Sequence, residues 1–400
     1  MAPEEFGRPR LSWKNVSTHR LVRSEWFLAV SILTSLAFLL FGDQLKAESA
    51  DAAVQAVVFI WLFVTILWSA MSVVRHAEHL AERLGEPLGT LILTLAVTAI
   101  EAASISAVMV HSPDQPTVMR DTVFAVIMII LNGMVGTSLL VGAWRHREQS
   151  YNLQGANIYF SVVVPLAVMS LIMPNYTQTT PGPTLSFYQQ EFLAVMCVGL
   201  YAAFLAVQTG RHRGYFALEA EEDGHGHGHE LTGGAPAPGA PAAPGAAAPG
   251  ASAWRHALLL LSYMIPVVYL AEQFGEPIEH MIARLHAPAA LGGVIIAALV
   301  ATPEGIGAVR SALANKLQRS VNICLGSLLA TIGLTIPLMI VVAHLMSATI
   351  FLGLQGTSFV MLLLTLAVSV LTFGSGRTNV LQGAVHLLLF IAYLLLIFQG

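Results

Sequence analysis

"LTLAVTAIEAASISAVMV", Leu93 to Val110, reads as the middle and end of a membrane-spanning helix with a glutamate, Glu101, at its centre. An ionised carboxylate at that depth costs a few kcal/mol even on lenient insertion scales, so such a residue normally faces a polar pathway or a partner. The rest of the chain sets the same scene. Its 400 residues are 56% hydrophobic and 10% charged, with a mean hydropathy of +0.70, outside the range of soluble domains. Cys197 and Cys324 both fall inside apolar runs, where a buried thiol is expected rather than a disulfide.

A spanning helix needs about 20 mostly apolar residues. On that criterion eleven spans are expected, over residues 26–42, 52–74, 88–110, 121–144, 157–173, 189–209, 255–271, 288–310, 321–343, 357–374 and 381–398. Basic residues sort by side. Arg8, Arg10, Lys14, Arg20 and Arg23, then Arg75 and Arg83, Arg145 and Arg147, Arg211, Arg213 and Arg255, Arg310, Lys316 and Arg319, and Arg377 share one side. Only Lys46, Arg120 and Arg284 fall on the other. The positive-inside rule then puts the N-terminus in the cytoplasm and the C-terminus outside. A cleaved signal peptide over Trp26 to Phe41 is the competing reading of the first span; the long basic leader and the length of the run favour a retained helix.

Organisation follows from one low-complexity stretch. Between Arg211 and His256 the chain turns acidic and histidine-rich, then Ala/Pro/Gly-rich, a composition that cannot bury apolar surface and serves as a linker. The expected layout is a cytoplasmic arm over 1–25, a first helix and loop over 26–51, a five-helix unit over 52–209, the linker over 210–254 and a second unit over 255–400. The two units resemble each other. "AEHLAERL", Ala77 to Leu84, lines up with "IEHMIARL", Ile278 to Leu285; Glu101 falls on Glu304 of "ALVATPEGIG"; "PLAVMSL", Pro165 to Leu171, falls on "TLAVSVL", Thr365 to Leu371. An odd number of helices per unit makes the copies antiparallel. The fold class expected is therefore an all-α integral membrane protein with about eleven transmembrane helices, arranged as two inverted five-helix repeats after an extra N-terminal helix, with the substrate site near the midplane where the copies meet.

Two carboxylates at matching points of an inverted repeat should approach each other at the pseudo-twofold axis. In a low-dielectric site they cannot both stay charged without a compensating cation, so the pair holds protons or a cation, each excluding the other. That exclusion is the chemical basis of antiport. Thr94, Thr98 and Glu101 share a helix face at i, i+4 and i+7. Pro303 lacks an N–H, which frees the carbonyl of Leu299 as a further ligand. Asn132 and Thr331, polar and mid-helix, are candidates to complete an oxygen shell for a hard cation such as Ca²⁺, Na⁺ or K⁺. A packing role, each hydroxyl bonded to its own helix, suits Thr94, Thr98 and Thr331 as well, and a structural, neutral acid is the bland account of Glu101 and Glu304. Glu78, His79, Glu279 and His280, repeated at helix ends, are either solvated termini or the lining of a pathway. His344 and His386 are either proton relays or satisfied polar residues. In the linker, Glu221, Glu222, Asp223, His225, His227 and His229 are a loose cation-gathering or pH-sensing cluster without preorganised geometry, or a plain connector.

"GGVIIAALVATPEGIGAVRSALANKLQRSVNICLGSLLATIGLTIP", Gly292 to Pro337, strongly resembles the bacterial ChaA-type cation/proton antiporters of the calcium/cation antiporter superfamily. So do Arg120 to Gln149, "GTLILTLAVTAIEAASI" and "QGAVHLLLFIAYLLLIF". The resemblance implies an inner-membrane exchanger of Ca²⁺, in some members Na⁺ or K⁺, for H⁺, with Glu101 and Glu304 as the exchange site. The wider superfamily often has Gly-Asn before the repeat acid, where this chain has Ala99-Ile100 and Thr302-Pro303, so the other ligands and the ion stay open. Expected partners are inorganic cations, protons and the lipid bilayer, with no nucleic acid and no cofactor beyond the transported ions; the oligomeric state is not legible. An uncoupled cation channel is the alternative function, weakened by the inverted repeat. An enzyme is not expected, since no H-E-x-x-H spacing lies within a span and no phosphate-cradling loop occurs.

Overall fold

The computed structural model describes residues 25–46, 51–84, 88–111, 116–210, 213–216 and 250–399. The N-terminal arm and the linker residues Glu221, Glu222, Asp223, His225, His227 and His229 lie outside the described residues. Among the described residues, eleven helices are long and apolar enough to cross a membrane. They are α1 (Trp26–Leu45), α2 (Ala52–Leu84), α3 (Leu88–His111), α4 (Val118–His146), α5 (Leu153–Leu171) and α6 (Phe187–Thr209). In the second half follow α7 (Gly250–Arg284), which begins inside the stretch expected as linker, α8 (Ala290–Leu313), α9 (Leu317–Leu345), α10 (Gly356–Phe373) and α11 (Val380–Gln399). Helices are the expected outcome, because a span that pairs its own N–H and C=O groups leaves nothing unsatisfied in hydrocarbon.

Helices α2 and α7 run well past the expected ends at residues 74 and 271, carrying Glu78 with His79 and Glu279 with His280 on continuous helix. The charged residues that end the hydropathy run do not end the hydrogen-bond ladder; Pro266 and Pro277 sit inside α7 without stopping it. Among the described residues two helices contain a π-turn, Ile129–Met134 in α4 and Thr331–Thr335 in α9, at matching places of the two copies. Such turns are rare and concentrate at functional sites.

The copies α2–α6 and α7–α11 pack reciprocally. α2 lies along α7; α3 packs on α7 as α8 packs on α2; α4 packs on α11 as α9 packs on α6. The reciprocal contacts are unequal in extent: α8 packs extensively on α4, whereas α3 touches α9 over a much shorter length. Helix α1 stands outside the repeat yet packs on α2 and α7, with Ser31 and Ser69 hydroxyls 2.5 Å apart and Lys46 paired to Glu276 at 3.1 Å.

Connecting segments gather on two faces. On the face carrying most of the described basic residues, Gln149–Ser150 pairs antiparallel with Arg377–Thr378, the Asn152 N–H donates to Gln318 Oε1 at 2.6 Å, and Gln149 Nε2 donates to the Ala312 carbonyl at 2.9 Å. On the opposite face Arg120 Nη1 donates to the Gly353 carbonyl at 3.1 Å and Asn175 Nδ2 to the Leu354 carbonyl at 2.6 Å. Alternate connections thus meet their own kind, as successive crossings require.

Candidate functional site

Where α3 and α9 part, a cavity of about 220 Å³ opens. Helix α3 lines it with Thr94, Thr98 and Glu101, and α8 with Pro303, Glu304 and Gly307. Both repeat glutamates therefore face one space. Glu101 is only 2% exposed, while Glu304 is partly exposed. Further out, Glu78, Gln208, Arg319 and Asn322 line the same cavity, all near the helix ends of the basic face.

Helix α9 supplies the donors. Thr335 Oγ1 donates to Glu101 Oε2 at 2.7 Å and Thr331 Oγ1 to the same oxygen at 3.2 Å, while Ser327 Oγ donates to Glu304 Oε2. Ser327, Thr331 and Thr335 fall at i, i+4 and i+8, so one helix presents a row of hydroxyls that joins the two carboxylates. Hydrogen bonds from neutral donors to a carboxylate are the stronger, charge-assisted kind. Among the described residues that line this cavity, two buried polar atoms, Glu101 Oε1 and Tyr159 Oη, have no hydrogen-bond partner. Buried polar atoms without a protein partner are uncommon and call for water, a proton or an ion.

A second cavity, of about 290 Å³, lies towards the opposite face and is lined by Asp121, Glu279, Ile282, Gly292 and Gly293 among others. It does not include the glutamate pair. Helix α8 closes it there against α4: a Cβ on Gly293 would stand 2.9 Å from Asp121 C and Thr122 N, so only glycine permits that approach. Glu78 and Glu279, matched in the repeat, thus line one cavity each.

The other sequence-nominated residues divide. Thr98 and Thr331 join the site, as does Thr94. Leu299 is 2% exposed and is not part of the cavity lining; α8 runs on through Pro303. Asn132 is turned elsewhere, fully buried in the π-turn of α4, where Nδ2 donates to Thr365 Oγ1 at 2.9 Å and Oδ1 lies 3.1 Å from His386 Nδ1. Its polar groups are satisfied by α10 and α11 rather than offered to the glutamates. His79 lies beside His256, with ring centroids 5.1 Å apart and the rings tilted, and His280 is partly buried outside both cavities. His344 Nε2 lies 2.9 Å from Gln190 Oε1 near the opposite face. Ser327, Thr335 and Tyr159 were not nominated from sequence; the four-residue spacing from Thr331 in both directions is the signal that could have found the first two.

Comparison with known proteins gives a consistent picture. The family model described as sodium/calcium exchanger protein matches residues 54–210 and 255–399. The chain is 40% identical to the ionic transporter y4hA of Sinorhizobium fredii over 324 residues, 81% of this chain and 83% of that protein. It is 36% identical to the sodium-potassium/proton antiporter ChaA of Escherichia coli over 374 residues, 94% of this chain and 96% of that one. Among solved structures, native YfkE superposes with a TM-score of 0.69 at 18% identity, covering 94% of this chain and 99% of the other. The H⁺/Ca²⁺ exchanger CAX gives a TM-score of 0.63 at 15% identity, covering 93% and 88%. At those identities the likeness to YfkE and CAX is one of fold. With the family model covering most of the chain and two relatives above a third identical, this multi-pass membrane protein belongs to the sodium/calcium exchanger family.

Proposed function

We propose that the chain is an antiporter that exchanges a hard cation, Ca²⁺ or the alkali ions Na⁺ and K⁺, for protons at the Glu101/Glu304 pair. The observation that carries this reading is the unpartnered Oε1 of Glu101, held buried in the same cavity as Glu304 by hydroxyls that satisfy only its other oxygen. One carboxylate oxygen kept free of protein donors is a place for a proton or a cation, and the two acids together balance either two protons or one divalent ion. The named activities of ChaA, a sodium-potassium/proton antiporter, and CAX, an H⁺/Ca²⁺ exchanger, agree with that chemistry.

In this reading the cavity beside α3 and α9 is the open pathway and the α8–α4 contact at Gly293 is the closed one. Exchange of the two arrangements between the copies exposes the pair to the other side. The positive-inside rule makes the basic face cytoplasmic, so the open state loads cation from the cytoplasm and the opposite state loads protons from outside. Everted membrane vesicles with a respiration-generated acid interior test it: addition of Ca²⁺, Na⁺ or K⁺ separately should collapse the pH gradient for the transported ion. Cation flux that leaves the pH gradient untouched would instead mark an uncoupled channel.

A further inference from the structure

Away from the carboxylates, a second polar cluster lies wholly inside the protein between α4, α10 and α11. Asn132, Thr365 and His386 are fully buried and Thr372 is nearly so. Asn132 Nδ2 donates to Thr365 Oγ1 at 2.9 Å, Asn132 Oδ1 lies 3.1 Å from His386 Nδ1, and His386 Nε2 lies 3.0 Å from Thr372 Oγ1. With the amide in this orientation Oδ1 can only accept, so His386 Nδ1 carries the proton and Nε2 accepts from the threonine hydroxyl. Every polar atom of both side chains that takes part is paired, in a region where an unpaired one is costly.

The place of Asn132 in the repeat gives the cluster its meaning. Asn132 sits in the π-turn of α4, and Thr331 and Thr335 sit in the π-turn of α9, its counterpart in the second copy. The π-turn of α9 packs on α6, the fifth helix of the first copy; the π-turn of α4 packs on α11, the fifth helix of the second. It also packs on α8, the helix that carries Glu304. Yet the polar residues of the two π-turns do different things. Thr331 and Thr335 donate across the repeat boundary to Glu101, whereas Asn132 is held by Thr365 and His386. Inverted copies exchange conformations when the transporter changes state, so a contact made by one copy now is made by the other later.

We infer that His386 is a positioning residue that holds the Asn132 amide away from the carboxylate pair while the cavity beside α3 and α9 is open, and that Asn132 leaves it for Glu304 in the opposite state. This rests on the reading of Glu101 and Glu304 as the exchange site. The bond to His386 stabilises the state described here, and its loss favours the other state.

The test reads conformation rather than flux. In full-length protein with the buried Cys197 and Cys324 changed to Ala, Gln208→Cys reports the cavity on the basic face and Ile282→Cys the opposite one, each labelled in membrane vesicles with an impermeant maleimide from its own side. With His386 intact, Gln208→Cys should label faster. His386→Ala should shift the ratio of the two rates by about tenfold toward Ile282→Cys, the effect of one buried hydrogen bond. His386→Asn places an amide where Nδ1 stood and should restore the native ratio. His386→Gln places one where Nε2 stood and should behave like the alanine variant. A native ratio in His386→Ala, or Asn and Gln variants that behave alike, would overturn the inference. The two amide variants separate the Asn132 contact from general damage to the core. Labelling needs no cation transport, so a functional glutamate pair and a functional His386 latch fail independently: flux surviving Glu101→Gln sinks the first, an unmoved labelling ratio the second.

Discussion

Thr335 Oγ1 stands 2.7 Å from Glu101 Oε2, so a carboxylate of the first repeat copy is held by a hydroxyl of the second. That contact crosses the boundary between the two copies. Thr335→Val keeps the shape and removes the donor; hydrogen bonds to charged groups contribute about 1.5–3 kcal/mol, so the half-saturating cation concentration in the vesicle assay should rise at least about tenfold. Thr335→Ser should stay near the native value. Equal affinities in Thr335→Val and the native protein would show that the hydroxyl only packs.

Close approach of α4 and α11 makes the second prediction. A Cβ on Gly383 would lie 2.9 Å from the Gly136 carbonyl oxygen, and one on Gly136 2.9 Å from the Leu387 amide nitrogen, so each glycine makes room for the other helix's backbone. Gly383→Ala should therefore cost about 1–3 kcal/mol, seen as a lowered Tm of the purified protein in detergent. Gly199→Ala is the control: nothing stands within 4 Å of the added methyl, and alanine is the better helix former. A Gly383→Ala protein that melts with the native one would contradict the tight crossing.

Alkaline stability offers a third. Tyr151 lies between α4 and α5, and burial pushes its hydroxyl above the ordinary tyrosine range, opposed by hydrogen bonds with the Ser375 side chain and the Gly376 N–H. Because the folded value exceeds the unfolded one of about 10, its contribution is fully present below pH about 10 and is lost as pH rises through the folded value. Melting curves taken at rising alkaline pH should show this loss in the native protein and lack that component in Tyr151→Phe, which is also less stable near neutrality through the lost bond to the Thr372 carbonyl at 3.2 Å. Parallel curves for the two proteins would count against it.

What was legible in the sequence followed strong physical contrasts. A carboxylate inside an apolar run stands out, and its recurrence at Glu304 in an antiparallel copy marks the pair without any structure. Helix number was equally plain, whereas the ends of α2 and α7 were not, because hydropathy falls at Arg75 and Glu272 while the backbone ladder runs on to Leu84 and Arg284. Hydroxyls were harder. Serine and threonine are common in spans and often bond their own helix, as Ser104 does to the Ile100 carbonyl at 2.9 Å, so Ser327 and Thr335 showed only as a four-residue spacing from Thr331. Asn132 did carry contrast, but polarity alone does not say which neighbour satisfies it; the π-turn and His386 decide that, and both are properties of the folded state.

The central claim is that Glu101 and Glu304 together bind the exchanged ions. Uptake of radiolabelled cation into proteoliposomes of the purified protein, driven by an acid interior, tests it most directly with the native chain, Glu101→Gln and Glu304→Gln side by side. The account predicts uptake that tracks the imposed pH difference in the native protein and falls to background in each variant, with both variants folded by their Tm. Coupled uptake persisting at the native rate in either variant would contradict it.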